Sequence, residues 1–411
     1  MTTTPRSRSH RLASWALAGA AALTSRALPA AAAPVPLGPE TALDSPLALD
    51  FSCPVLAGRD DGSSALTWVR GDSANKSELV LRTADSAGLL DPAHVIAQRP
   101  RFRIDRVSLA AHPAGYTLLW RDFDGVRRRT FFAGERDADG AAVGAVVDLG
   151  HAPLELSPRP VGGFVAGWIA RRAVNVQLLD EEGGAARPPV KIGTPRGRAP
   201  IFGGVVHAAD GSFLVFWHQQ LEDFAGGVLV ARRFDVLGRP QGRTFQLVAP
   251  PGERGFLSTY TLALGDDGTL AVAYRIEREH GAPQPELLLL RTFDAADRPL
   301  QESVVLDQDT TEFALAPDSV AVDAAGNALV LWTRLPGLSG GSTTTHAAVL
   351  QRSALAVEPF DLTSPASADF PSVTCAVAAA AGDSWIVAWV ADDDFAFGLL
   401  DRRLFARRFR R

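Results

Sequence analysis

Long apolar runs are missing from this chain of 411 residues. The one modest apolar segment, 12–23, is too short to cross a bilayer, and no later run is longer, so no membrane span is expected. Periodic helix patterns are also nearly missing. Lysine occurs only at Lys76 and Lys191, a bias that we ascribe to genomic base composition. Several signatures of chemistry are missing as well. There is no G-x-S-x-G elbow, no phosphate-cradling glycine loop and no EF-hand spacing. His94, His112, His151, His207, His218, His280 and His346 are scattered, without the i, i+4 or Cys/His spacing of a zinc site. No cofactor or metal is therefore expected.

What is present starts with a leader. Arg6, Arg8 and Arg11 precede the apolar segment, and Ala30-Ala31-Ala32 offers a small-residue cleavage site, so residues 1–32 read as a secretory signal peptide. No cysteine lies there to carry a lipid. Removing Arg6, Arg8, Arg11 and Arg26, with no acid, takes the formal charge from −5 to −9. An acidic mature chain argues against sequence-independent nucleic-acid binding. Residues 33–45 are Pro- and Ala-rich and read as extended.

The rest of the chain repeats. An aromatic residue closes an apolar run at Trp68, Trp120, Trp168, Trp217, Tyr274, Trp332 and Trp389. Ahead of most of these runs stands a Gly-containing turn, as in DDGSSALTW, ADGSFLVFW, DDGTLAVAY and AAGNALVLW. A further strand follows, as in ELVLRTAD, VLVARRFD and LLLLRTFD, and then a second turn such as DADGAAVG or DVLGRPQG. Residues 203–248 show the whole unit as four short strands separated by Gly, Asp and Pro. The second-strand runs are apolar on both sides, which fits a strand sandwiched between neighbouring sheets. A period near 50 with four strands per period builds a propeller blade. The expected fold is an all-β, seven-bladed β-propeller over residues 46–411.

The unit DGSFLVFW…VLVARRFDVLGRPQG resembles the repeats of secreted bacterial β-propeller proteins of largely uncharacterised function. The resemblance covers nearly all of the mature chain and implies a fold more than an activity. It extends distantly to the Asp-box of sialidase-like propellers, S-x-D-x-G-x-T-W, of which the copies keep only Asp-Gly and the aromatic. WD-repeat blades end in Trp-Asp, and none of the seven aromatics is followed by Asp.

Candidate site residues come from position. Just after the aromatics stand Arg70, Arg121, Arg171, His218, Arg275, Arg334 and Asp392, where the second strand runs into the third on one face of the ring. One reading is a basic mouth for a glycan or an anion, since the planar guanidinium binds carboxylates bidentately. The other is ordinary polar loops in an arginine-rich chain. The longer loops of blades four to six add Glu222, Asp223, Glu277, Arg278 and His280. Most acid pairs fall in turns, where Asp bonds nearby backbone.

Two expectations concern the ends. The chain stops after a third-strand motif, so Ser45–Phe51 is expected to supply the outer strand of blade seven and close the ring. Cys53 and Cys375 lie in the first strands of blades one and seven, and form either a disulfide across that seam or two buried thiols. Two functions compete. One is a secreted or periplasmic monomer that binds a carbohydrate or protein ligand without catalysis. The other is a polysaccharide hydrolase or lyase, which needs two carboxylates converging in the funnel.

Overall fold

The computed structural model describes residues 34–37, 41–44 and 53–410, apart from segments at 73–75, 101–102, 124–128, 152–154, 194–197, 222–226, 249–254, 279–284, 310–313, 336–342, 352–353, 363–371 and 393–401. Among the described residues every regular element is a β-strand. The strands form seven antiparallel sheets, each read from its first strand outward. The chain is a seven-bladed β-propeller with four strands to a blade.

Blade four shows the plan. Arg198–His207, Phe213–Leu221, Gly227–Phe234 and Pro240–Val248 pair in chain order. The first strand of every blade lines an axial cavity of about 520 Å³, from Val55–Gly58 in blade one to Ala378–Ala380 in blade seven.

The turns follow from the Asp and Gly punctuation. At the first and third hairpins of blades one, three, four and five the chain closes the same way. In blade four, Gly211 N–H donates to Ala208 O and Ala208 N–H to Ser212 O. This is a type I turn ending in a left-handed residue, which favours glycine because a Cβ crowds the backbone there. Gly211 has φ 81°, and Asp297 takes the same place in blade five at φ 63°.

The repeated aromatics explain how the blades stack. Each points at the blade before it. Trp217 packs with Val165, Val174 and Val176 of blade three, and Trp332 with Ala271, Ala273 and Leu288 of blade five. Trp68 packs with Ala388, Val390 and Leu404 of blade seven, which completes the circle. A buried ring of this size removes about 150–250 Å² from water, worth at most roughly 4–6 kcal/mol. Trp168 is only half-buried, in the blade with the shortest second and third strands, Phe164–Ala170 and Ala173–Leu179.

Closure of the ring uses the N-terminal chain, as expected. Thr41–Asp44 and Val35–Pro36 both pair with the last strand, Arg402–Arg410, as one interrupted outer strand. The expected strand 45–51 lies outside the described residues. Asp44 is opposite Leu404, near the start of the last strand. Cys53 is bonded to Cys375, with Cα atoms 5.8 Å apart, so the second seam device is a disulfide.

Candidate functional site

Alternation along a strand decides where each residue after an aromatic points. Positions two beyond the aromatic share its side and face the preceding blade. Positions one beyond face the following blade. Five of the seven residues therefore fall into two sets with different neighbours, while Arg171 and Asp392 stand three beyond their aromatics.

The first set meets charges on the neighbouring strands. Arg70 Nε donates to Glu78 Oε2 at 2.8 Å, directly across the ladder, and Gln98 Nε2 donates to Glu78 Oε1 at 2.9 Å. Arg334 is held by both carboxylate oxygens of Asp307, from the outer strand of blade five, with Nε to Oδ2 at 2.8 Å. Asp307 Oδ2 also accepts from Trp332 Nε1 at 2.8 Å. Burial by itself would raise the Asp307 carboxyl, but these bonds outweigh it and hold the group below the usual range. The same place between blades one and two holds Arg99 against Asp122, with the signs exchanged.

In the second set, Arg121 is 7 % exposed, its guanidinium 5.8 Å from the centre of the Phe131 ring. Arg275 is ion-paired with Glu286 and lies 3.1 Å from Glu277. Glu286 is buried and its Oε1 accepts the Leu315 N–H of blade six at 3.0 Å. His218 is partly buried, and burial pushes its imidazole pKa down. A Cβ on Gly227 would stand 2.3 Å from its Nε2, so the small residue leaves room for the ring.

Arg171 is exposed in a two-residue hairpin with Arg172, at φ 49° and 61°. Arg278 and Asp392 end the second strands of blades five and seven, and their side chains lie outside the described residues, as do Glu222, Asp223 and His280. Of the expected basic ring, the structure pairs Arg70, Arg275 and Arg334 with carboxylates. Glu78 and Glu286 were missed, although each stands in its third strand directly ahead of an apolar run, ELVL and ELLLL. Asp307 carries no local signal, because it comes from another blade.

Two further groups stand out. A bulge in the first strand of blade six, between Pro317 and Ser319, leaves Asp318 as the extra residue, bonded to Thr333 Oγ1. Burial pushes its carboxyl up to about 7. At the end of the axial cavity formed by the first hairpin turns, His207 shares a 2.9 Å hydrogen bond with Ser157, and burial beside Arg159 pushes it down to about 3. The residues of the first hairpin turns, among them Asp60, Ala209, Asp266 and Ala324, line this end of the cavity.

No protein family and no curated protein matches the chain. Solved structures match its fold. A polysaccharide lyase, an ulvan lyase solved with -[GlcA(1-4)Rha3S]- bound, is 10 % identical with a TM-score of 0.50, covering 85 % of this chain and 91 % of its own. The β-propeller domain of the trilobed protease from Pyrococcus furiosus is 11 % identical with a TM-score of 0.49, covering 87 % and 94 %. At these identities the likeness is one of fold. Among the described residues no helix is long and apolar enough to cross a membrane.

Proposed function

We propose that the chain is an exported, monomeric binding propeller. It takes up a saccharide on the face where the second strands run into the third, and leaves the glycosidic bonds intact. The observation that carries this is the set of fixed guanidinium–carboxylate pairs on that side, Arg70–Glu78, Arg99–Asp122 and Arg334–Asp307. A guanidinium already matched by a carboxylate adds little net charge, but the pair still offers donors and acceptors in rigid geometry. Neighbouring hydroxyls of a sugar ring need both. The arrangement favours a neutral glycan over a polyanion. Arg171 and, on the longer loops, Glu222, Asp223, Arg278 and Asp392 belong to the same proposed surface. Export is supported by the leader-like residues 1–32 and by the Cys53–Cys375 disulfide, a bond of oxidising compartments. The ulvan lyase of the same fold has a saccharide bound, which supports a saccharide as the ligand but, being uronate and sulfated, not a neutral one.

The competing reading is a polysaccharide hydrolase or lyase. It is favoured by Asp318, a carboxyl raised to about 7 and so able to give up a proton at neutral pH. It lacks a partner acid beside Asp318 among the described residues.

A glycan array probed with the exported chain tests the proposal. Retention of neutral saccharides, weakly dependent on salt and with no new reducing ends, is the expected outcome. Retention confined to sulfated or uronic polymers and abolished by salt would assign the face to anions. Chain cleavage would establish the enzyme reading.

A further inference from the structure

Blade six carries an acid, an imidazole and a hydroxyl in line on one side of its sheet. His346 is the ladder partner of Trp332 on one side and of Asp361 on the other, and Thr344, two residues back, is opposite Arg334. Asp361 Oδ1 lies 2.7 Å from His346 Nδ1, and Thr344 Oγ1 lies 3.0 Å from His346 Nε2. The His346 ring stacks on Trp332 with centres 5.7 Å apart, which fixes its plane.

The order of these contacts sets the tautomer. A carboxylate only accepts, so Asp361 takes the Nδ1–H, and Nε2 is left as the acceptor for the Thr344 hydroxyl. Burial pushes the His346 pKa below its usual value, and Asp361 works against that shift. A neutral imidazole at physiological pH is what a general base requires. Arg334, across the ladder from Thr344, is paired with Asp307, so it offers fixed hydrogen-bond donors on that side of the sheet rather than a free positive charge.

We propose that Thr344, His346 and Asp361 form an acyl-transfer site that hydrolyses O-acyl esters, with Thr344 as nucleophile, His346 as base and Asp361 as its positioning residue. Thr344 Oγ attacks the acyl carbon and its proton passes to His346 Nε2. The tetrahedral intermediate collapses, the ester C–O bond breaks, and the departing alcohol takes the proton from Nε2. Water then attacks the acyl-threonine and gives a proton to Nε2, and that proton returns to Thr344 Oγ as the carboxylic acid leaves. No other reactant is needed. The roles follow the general acid–base–nucleophile logic of such triads on unrelated folds. The site does not depend on saccharide binding, so a failed glycan array leaves it standing, and the reverse holds too.

The test uses the full chain with p-nitrophenyl acetate. Hydrolysis above the buffer rate is expected, with a loss of about 100-fold or more in Thr344→Ala and in His346→Gln. Thr344→Ser should retain activity. Asp361→Asn should shift the rising limb of the pH–rate profile to lower pH, because the anion that raises the His346 pKa is gone; a structural role alone would not move that limb. A fluorophosphonate should add a single phosphonyl group to the wild-type chain at Thr344, a readout that needs no variant to fold. Hydrolysis at the buffer rate, activity surviving Thr344→Ala, or labelling elsewhere would each overturn the proposal.

Discussion

Arg408, in the last strand of blade seven, donates from Nη2 to the carbonyl oxygen of Gly62, in the first turn of blade one, at 2.6 Å. The same side chain donates to Ser384 Oγ at 2.7 Å and to Asp85 O at 3.1 Å. One arginine thus ties the first and third hairpin turns of the first blade to the last. Arg408→Ala would leave these acceptors to water and should cost about 1.5–3 kcal/mol, the range for hydrogen bonds to a charged group. An unchanged urea midpoint would show that the contacts are dispensable.

The broken outer strand at the same seam should matter more. Deleting residues 33–44 removes Thr41–Asp44 and Val35–Pro36 and exposes the edge of Arg402–Arg410. A bare sheet edge also invites association. The truncated chain should melt well below the full one and aggregate on heating. Equal melting of the two, followed by circular dichroism, would refute closure by the N-terminal chain.

The disulfide links residues 322 apart in sequence. Loop-closure entropy puts its stabilisation at up to about 5 kcal/mol. Cys53→Ser with Cys375→Ser should lose stability of that order in guanidinium titrations. The same loss should follow simple reduction of the wild-type chain. If reduced and oxidised chains unfold together, the bond contributes nothing.

Gly58 marks a close approach of blades one and seven. A Cβ there would lie 2.0 Å from Ala380 O, a backbone atom that has nowhere to go. Gly58→Ala should destabilise by about 1–3 kcal/mol or more, as over-packing does. Gly193→Ala, with open space around its Cα, is the control and should be near neutral.

Asp318 should make stability depend on pH. Its folded pKa, raised to about 7, lies above the ordinary 3.8. Below the lower value both folded and unfolded chains hold the proton, and no penalty exists. As pH rises from about 4 to about 7 the unfolded chain ionises first, so stability falls, and it levels off above 7. Asp318→Asn is neutral throughout and should remove this part of the slope, gaining of the order of 2–4 kcal/mol at pH 8. Parallel pH profiles for the two proteins would discount the buried carboxyl.

The candidate site was legible only in part. That Arg70 and Arg334 follow their aromatics by two, and Arg121 and Arg275 by one, is plain in the sequence, and strand alternation then separates the two pairs. What each arginine meets was not plain. Asp307 reaches Arg334 from a strand of the preceding blade. Asp361 reaches His346 through the ladder between the third and outer strands of blade six.

The sequence by itself determined the strands, the turns and the seven-fold repetition, because these rest on interactions among near neighbours. An apolar run closed by an aromatic is a buried strand wherever it occurs, and a glycine after an Asp-led turn is set by the local φ that the turn demands. Only the tertiary structure decided which N-terminal residues close the ring and which charges are neutralised. Both depend on the register of strands brought together by closure, and register between blades leaves no local trace in the chain. Thr41–Asp44 is an outer strand because Arg402–Arg410 offers it an edge, and Arg334 is a paired charge because blade five stands next to blade six.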